Sequence, residues 1–105
     1  MKIQLNTDKQ IDGTDALEER VSEMIEQYLG RFSSRLTRLE VFLSDNNSPI
    51  KGGPHNKRCA LEARPRDGDP IGASHDDEDV EKAIRGAADK LRTKLDAWVQ
   101  KQRGY

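Results

Sequence analysis

The chain predicts an α+β domain in the order β-α-β-β-β-α, a four-stranded sheet with two helices packed on one face. Three observations carry this. Leu17, Val21, Met24, Ile25, Tyr28, Leu29 and Phe32, and later Val80, Ile84, Ala87, Ala88, Leu91, Leu95 and Trp98, recur at three- and four-residue steps, the mark of a helical stripe. Four other stretches alternate apolar and polar residues with a period of two, as half-buried strands do. Finally, a helix with one long apolar stripe needs a covering surface, and an antiparallel meander covered on one face is the simplest arrangement that buries both stripes.

Each element has its own local justification. Ile3 and Leu5 alternate with Lys2, Gln4 and Asn6 in a short first strand, which the polar run from Thr7 to Gly13 ends. Thr14 is placed to cap the first helix, with Asp15, Glu18 and Glu19 at the positive end of its dipole, and the helix should stop near Ser33 and Ser34. In the second strand Leu39, Val41 and Leu43 take one side and Arg38, Glu40 and Phe42 the other. The polar stretch from Ser44 through Gly52-Gly53-Pro54 reads as an exposed hairpin loop with a mobile tip. Cys59, Leu61 and Ala63 alternate with Arg58, Glu62 and Arg64 in the third strand. Asp67-Gly68-Asp69 then signals a tight turn before a fourth strand with Ile71, Ala73 and His75. Asp76, Asp77, Glu78 and Asp79 are expected to crowd the start of the last helix.

The totals bound the class. At 105 residues the chain is expected to be one domain over 1–105, able to bury a core without disulfides or metal. Cys59 has no partner in the chain, and its expected role is a buried thiol in a reducing compartment. The start turns polar too soon for a signal peptide, and no apolar run is long enough to span a bilayer, so the expected location is cytoplasmic, with no membrane partner.

A formal charge of -1 does not announce a nucleic-acid binder, but the charges are segregated. Residues 1–26 hold three bases against seven acids, and residues 67–79 hold six acids and no base. Residues 27–66 and 80–105, by contrast, are strongly basic, so a polyanion-binding patch is compatible with the near-neutral total. Projected at about 100° per residue, the last helix carries two different flanks. One has Arg85, Arg92 and Arg103 with Asp89 and Asp96, where Arg85–Asp89 and Arg92–Asp96 are spaced to pair. The other has Lys90, Lys94 and Lys101 with no carboxylate among the neighbours Ala83, Gly86, Thr93 and Ala97. On the first helix, Arg20, Gln27 and Arg31 share an acid-free side. A common patch joining these to the lysines is the arrangement that would favour a large polyanionic partner.

Chemistry-bearing motifs are sparse, and no enzyme is expected. Neither His55 nor His75 has a second ligand at recognised metal spacing, and the acids after His75 are explained as helix-start charges. Gly52-Gly53-Pro54 lacks the Lys-Ser or Lys-Thr of a phosphate loop, and no Ser or Cys has a nucleophile-elbow context. No metal, cofactor or small-molecule substrate is expected. Trp98, Tyr28 and Phe32 fall on apolar stripes and read as core; Phe42, on the strand face opposite Val41 and Leu43, is a single exposed aromatic.

Several segments in this order carry a resemblance. They are Ile3-Gln4-Leu5, Thr14-Asp15-Ala16-Leu17, Arg38-Leu39-Glu40-Val41-Phe42-Leu43, Ile71-Gly72-Ala73-Ser74, and Asp79-Val80-Glu81-Lys82-Ala83-Ile84 leading to Asp89-Lys90-Leu91 and Leu95. Together they resemble the ribosome hibernation-promoting factor and ribosome-associated inhibitor family, also labelled sigma-54 modulation proteins. The resemblance implies a fold similar to double-stranded RNA-binding domains and binding to the small ribosomal subunit and its rRNA phosphates, with translation inhibited in stationary phase or stress. Lys90 matches a basic helix position of that family, whereas Thr93 and Asp96 stand where bases are common. The candidate rRNA-binding residues are therefore Lys90, Lys94, Lys101, Arg20, Arg31 and Lys82. The alternative is a protein-interaction module of the same fold that uses the acidic regions 1–26 or 67–79 on a basic partner.

Overall fold

The computed structural model describes residues 1–45 and 57–102. The elements follow in the order β1 (Lys2–Thr7), α1 (Asp15–Leu29), a 3-10 segment (Gly30–Arg35), β2 (Leu36–Asp45), β3 (Lys57–Pro65), β4 (Ile71–Asp77) and α2 (Val80–Gln102). The predicted class and element order hold. His55 and most of the expected hairpin loop lie outside the described residues, as does Arg103.

The sheet has the order β1-β2-β3-β4. β2, β3 and β4 form an antiparallel meander, with Val41 opposite Leu61 and Leu61 opposite Ala73. β1 corrects the expectation of an all-antiparallel sheet: it pairs with β2 in parallel, Ile3 beside Leu39 and Leu5 beside Val41. The reason is the connection, since a helix that runs back along the sheet returns the chain to the end where it started.

One face of this sheet holds the core. Leu39, Val41 and Leu43 from β2 and Cys59, Leu61 and Ala63 from β3 are buried against Val21, Met24, Ile25 and Leu29 of α1 and Ile84, Ala87, Ala88, Leu91 and Leu95 of α2. The alternation read from the sequence is therefore the sidedness of the sheet, and both helical stripes are the cover. Thr14 caps α1 as expected, its hydroxyl accepting the Leu17 backbone N–H at 3.1 Å. The α-helix ends at Leu29, earlier than expected, and the tighter 3-10 segment continues to Arg35 while keeping Phe32 in the core. Asp76 and Asp77 belong to β4 rather than to the helix start, and Asp79 caps α2, accepting the Lys82 N–H at 2.8 Å.

Two glycines have geometric reasons. Gly68 turns the chain between β3 and β4 with φ of 127°, a conformation that other residues rarely take. Gly86 lets α2 descend onto β4, because a Cβ there would collide with the His75 ring. α2 thus runs antiparallel along β4 from His75 at Gly86 to Gly68 at Trp98. This seating decides which of its flanks meets what.

Candidate nucleic-acid interface

The two flanks of α2 face different neighbours. The arginine flank lies along the seam with α1. Arg20 donates to Glu81 Oε1 at 2.9 and 2.7 Å from Nε and Nη2. Arg31 pairs with Asp96 at 2.7 Å and lies over its own neighbour Phe32, 4.4 Å from the ring centroid. Arg92 lies 5.3 Å from the centre of Tyr28. Glu81 holds the Arg20 guanidinium further toward its charged form, by hydrogen bonding first and charge second.

These contacts correct the pairing expected within α2. Arg92 binds Asp89, Arg85 reaches Glu81 at 4.0 Å, and Asp96 goes to Arg31. Helical side chains lean toward the helix N-terminus, so an arginine meets the acid three or four residues before it and leaves the one after it free for another element. The common patch that would join Arg20 and Arg31 to the lysines does not form: both arginines are held on the α1 side of α2. Lys82 is engaged by Glu78, which raises its pKa through a hydrogen bond and its charge.

The lysine flank lies along β4. Lys94 Nζ donates to the Gly72 carbonyl at 2.6 Å and Lys90 Nζ to the Ser74 carbonyl at 3.2 Å. β4 is an edge strand, so its outward carbonyls have no neighbouring strand, and the two ammonium groups cover them. Among the described residues no carboxylate comes within 4.0 Å of Lys90, Lys94 or Lys101. A lysine ammonium has three donors, so Lys90 and Lys94, spending one each on a neutral carbonyl, keep donors and uncompensated charge at the surface. Gly72 and Ser74 are two residues apart on one strand, which sets these charges on the order of 7 Å apart.

The sheet face away from the helices carries its own charges, mostly satisfied. Arg64 joins Glu40 at 3.3 Å and Glu62 at 2.8 Å, and Arg58 joins Asp76 at 3.1 Å. Phe42 is 40% exposed there, the large apolar side chain left open among the described residues. A groove of about 870 Å³ runs from Phe42 and Ala60 over Gly72 and Ser74 to Lys90 and Lys94. The sequence reading missed it as a unit, because its two walls lie on different elements; the available signal was one outward aromatic in line with the small residues Ala60 and Ser74.

Other candidate chemistry resolves into structure. Burial pushes the Cys59 thiol up to about 12, so it stays protonated and unreactive near neutral pH. His75 Nε2 meets Asp77 Oδ2 at 3.1 Å beneath Gly86, and no group of three metal-ligating side chains occurs among the described residues. No helix among them is long and apolar enough to cross a membrane.

Comparisons with known proteins place this architecture. No curated protein matches the sequence. The N-terminal domain of Thermus thermophilus Protein Y is similar in structure, with a TM-score of 0.72 at 21% identity over 93% of this chain and 99% of that one. A ribosomal subunit interface protein from Coxiella burnetii is similar too, with a TM-score of 0.69 at 21% identity over 95% and 99% of the two chains. The model of the sigma 54 modulation protein / S30EA ribosomal protein family matches residues 6–103, nearly the whole sequence, and the chain belongs to that family.

Proposed function

We propose that this protein is a non-enzymatic, cytoplasmic ribosome-associated factor, a single domain that binds the small ribosomal subunit through rRNA phosphates and inhibits translation in stationary phase or stress. Family membership supports ribosome association, and a structural neighbour is itself described as a ribosomal subunit interface protein. The observation that carries the mode of binding is the flank of Lys90 and Lys94, charged, exposed and held by neutral carbonyls instead of carboxylates. Lys101, one helical repeat further on, extends the flank. Cations in this state bind phosphate without first giving up an ion pair, and binding to several phosphates releases counterions, which makes it steeply salt-dependent. Arg20, Arg31 and Lys82 would have to exchange Glu81, Asp96 and Glu78 for phosphate, so their share is secondary.

Co-sedimentation with purified small subunits at low and raised salt tests the reading. The expected result is binding at low salt that weakens as salt rises and is lost when Lys90, Lys94 and Lys101 are all changed to Glu. Binding that is absent at low salt, or indifferent to that triple change in a folded variant, overturns it.

The second reading, a module for a basic protein, is narrowed by the structure. Asp76, Glu78 and Asp79 are engaged by Arg58, Lys82 and the α2 N-terminus, whereas Asp15, Glu18 and Glu19 stand exposed around a shallow cleft on α1. A discrete protein retained from nuclease-treated lysate without rRNA, and lost on changing these three acids to Gln, would favour it.

A further inference from the structure

We propose that the groove between the open sheet face and α2 binds single-stranded RNA, with a base stacked on Phe42 and consecutive phosphates on Lys90 and Lys94. The inference rests on the ribosome-associated reading for its choice of RNA, and adds which form of RNA is held and by what.

The sheet register sets the geometry. Phe42 lies opposite Ala60 and Ala60 opposite Ser74, and the Ser74 carbonyl accepts Lys90 Nζ. This is one straight row across three strands: aromatic, small, small, cation. Strands are spaced by roughly 4.8 Å, so the row sets the Phe42 backbone about 10 Å from the edge strand and its lysine. That span suits one nucleotide lying across the sheet with its base at Phe42 and its phosphate at β4. The next row ends at Gly72 with Lys94, one pleat along, where the following phosphate of an extended strand would fall.

Charge favours the same occupant. The carboxylates that line the groove are each held by an arginine, Glu62 by Arg64 and Asp89 by Arg92. Lys90 and Lys94 are held by neutral carbonyls, with no carboxylate within 4.0 Å among the described residues. The groove therefore presents two uncompensated positive charges on one wall and an exposed ring on the other. A duplex offers phosphates but keeps its base faces stacked, so it has nothing to give Phe42; an unpaired strand offers both. The lysine contacts also seal the β4 edge against an added peptide strand, which disfavours that occupant.

The test uses a fluorescent oligouridylate of about ten nucleotides and a duplex of the same length. The single strand is expected to bind more tightly than the duplex. Phe42→Ala should weaken it about tenfold with the salt slope unchanged, and Phe42→Trp should restore it. Lys90→Ala with Lys94→Ala should instead flatten the log–log salt slope by about 1.4, the share of two single-strand phosphates. Phe42 is exposed, so its replacement leaves the core intact, and an unchanged melting curve confirms this. An unaffected Phe42→Ala variant, a duplex bound as well as the single strand, or no single-strand binding overturns the proposal. If the wild-type chain still sediments with small subunits in any of those cases, the ribosome reading stands without it; binding to neither removes both.

Discussion

The two flanks of α2 both carry bases and end in opposite states. Along the α1 seam, Arg20, Arg31 and Arg92 are spent on Glu81, Asp96 and Asp89, and two of them also lie over aromatic rings. Along β4, Lys90 and Lys94 are spent on backbone carbonyls. Both arrangements order the side chains, but only the second leaves net charge at the surface. Neutralisation thus depends on what the neighbouring element exposes: a helix offers side-chain carboxylates, an edge strand offers carbonyl dipoles.

The largest expected effect breaks this comparison from the lysine side. Changing Lys90, Lys94 and Lys101 to Glu should weaken small-subunit binding by about 10²-fold or more near physiological salt. The corresponding Gln variant, which keeps hydrogen-bond donors for the β4 carbonyls, should lose much of the binding while keeping its melting temperature. A Gln variant that melts early would show that the lysines serve the edge strand first.

A smaller effect concerns the seating of α2. Gly86→Ala gains about 1 kcal/mol of helix propensity but drives a methyl group into the His75 ring, an overpacking that costs roughly 1–3 kcal/mol. The collision should win, lowering the melting temperature by several degrees and loosening Lys90 from Ser74. Thermal unfolding with small-subunit binding in parallel checks both, and a rise in melting temperature would show that the His75 ring can swing aside.

The smallest effects belong to the arginine flank. A double-mutant cycle on Arg20 and Glu81, both exposed, should give a coupling of about 0.2–1 kcal/mol that shrinks with salt. Small-subunit binding should change less than about twofold, an amount worth roughly 0.4 kcal/mol. If Arg20→Ala instead costs as much binding as Lys90→Ala, the two flanks act as one surface and the contrast drawn between them fails.

Much of this was legible before any fold was known. Val41 and Leu61 announced their buried side by alternation, Val21 and Ile25 by helical spacing, and Thr14 its cap by residue type, because each signal depends only on local backbone geometry. The lysine flank was legible too, as an absence of nearby acids along one face. The fate of Asp96 was not: its expected partner Arg92 was four residues away on the same helix, and its actual partner Arg31 comes from another element. The parallel pairing of β1 was equally hidden, since a period of two is the same in either strand direction.

The sequence by itself therefore determined the element order, the buried faces and the positions that carry charge, all matters of periodicity along one chain. Tertiary structure decided which charges remain uncompensated and that Phe42, Ala60, Ser74 and Lys90 form one row. The physical reason is reach: strand register and α2 seating bring together residues dozens of positions apart, and long side chains then take whichever partner the neighbouring element presents.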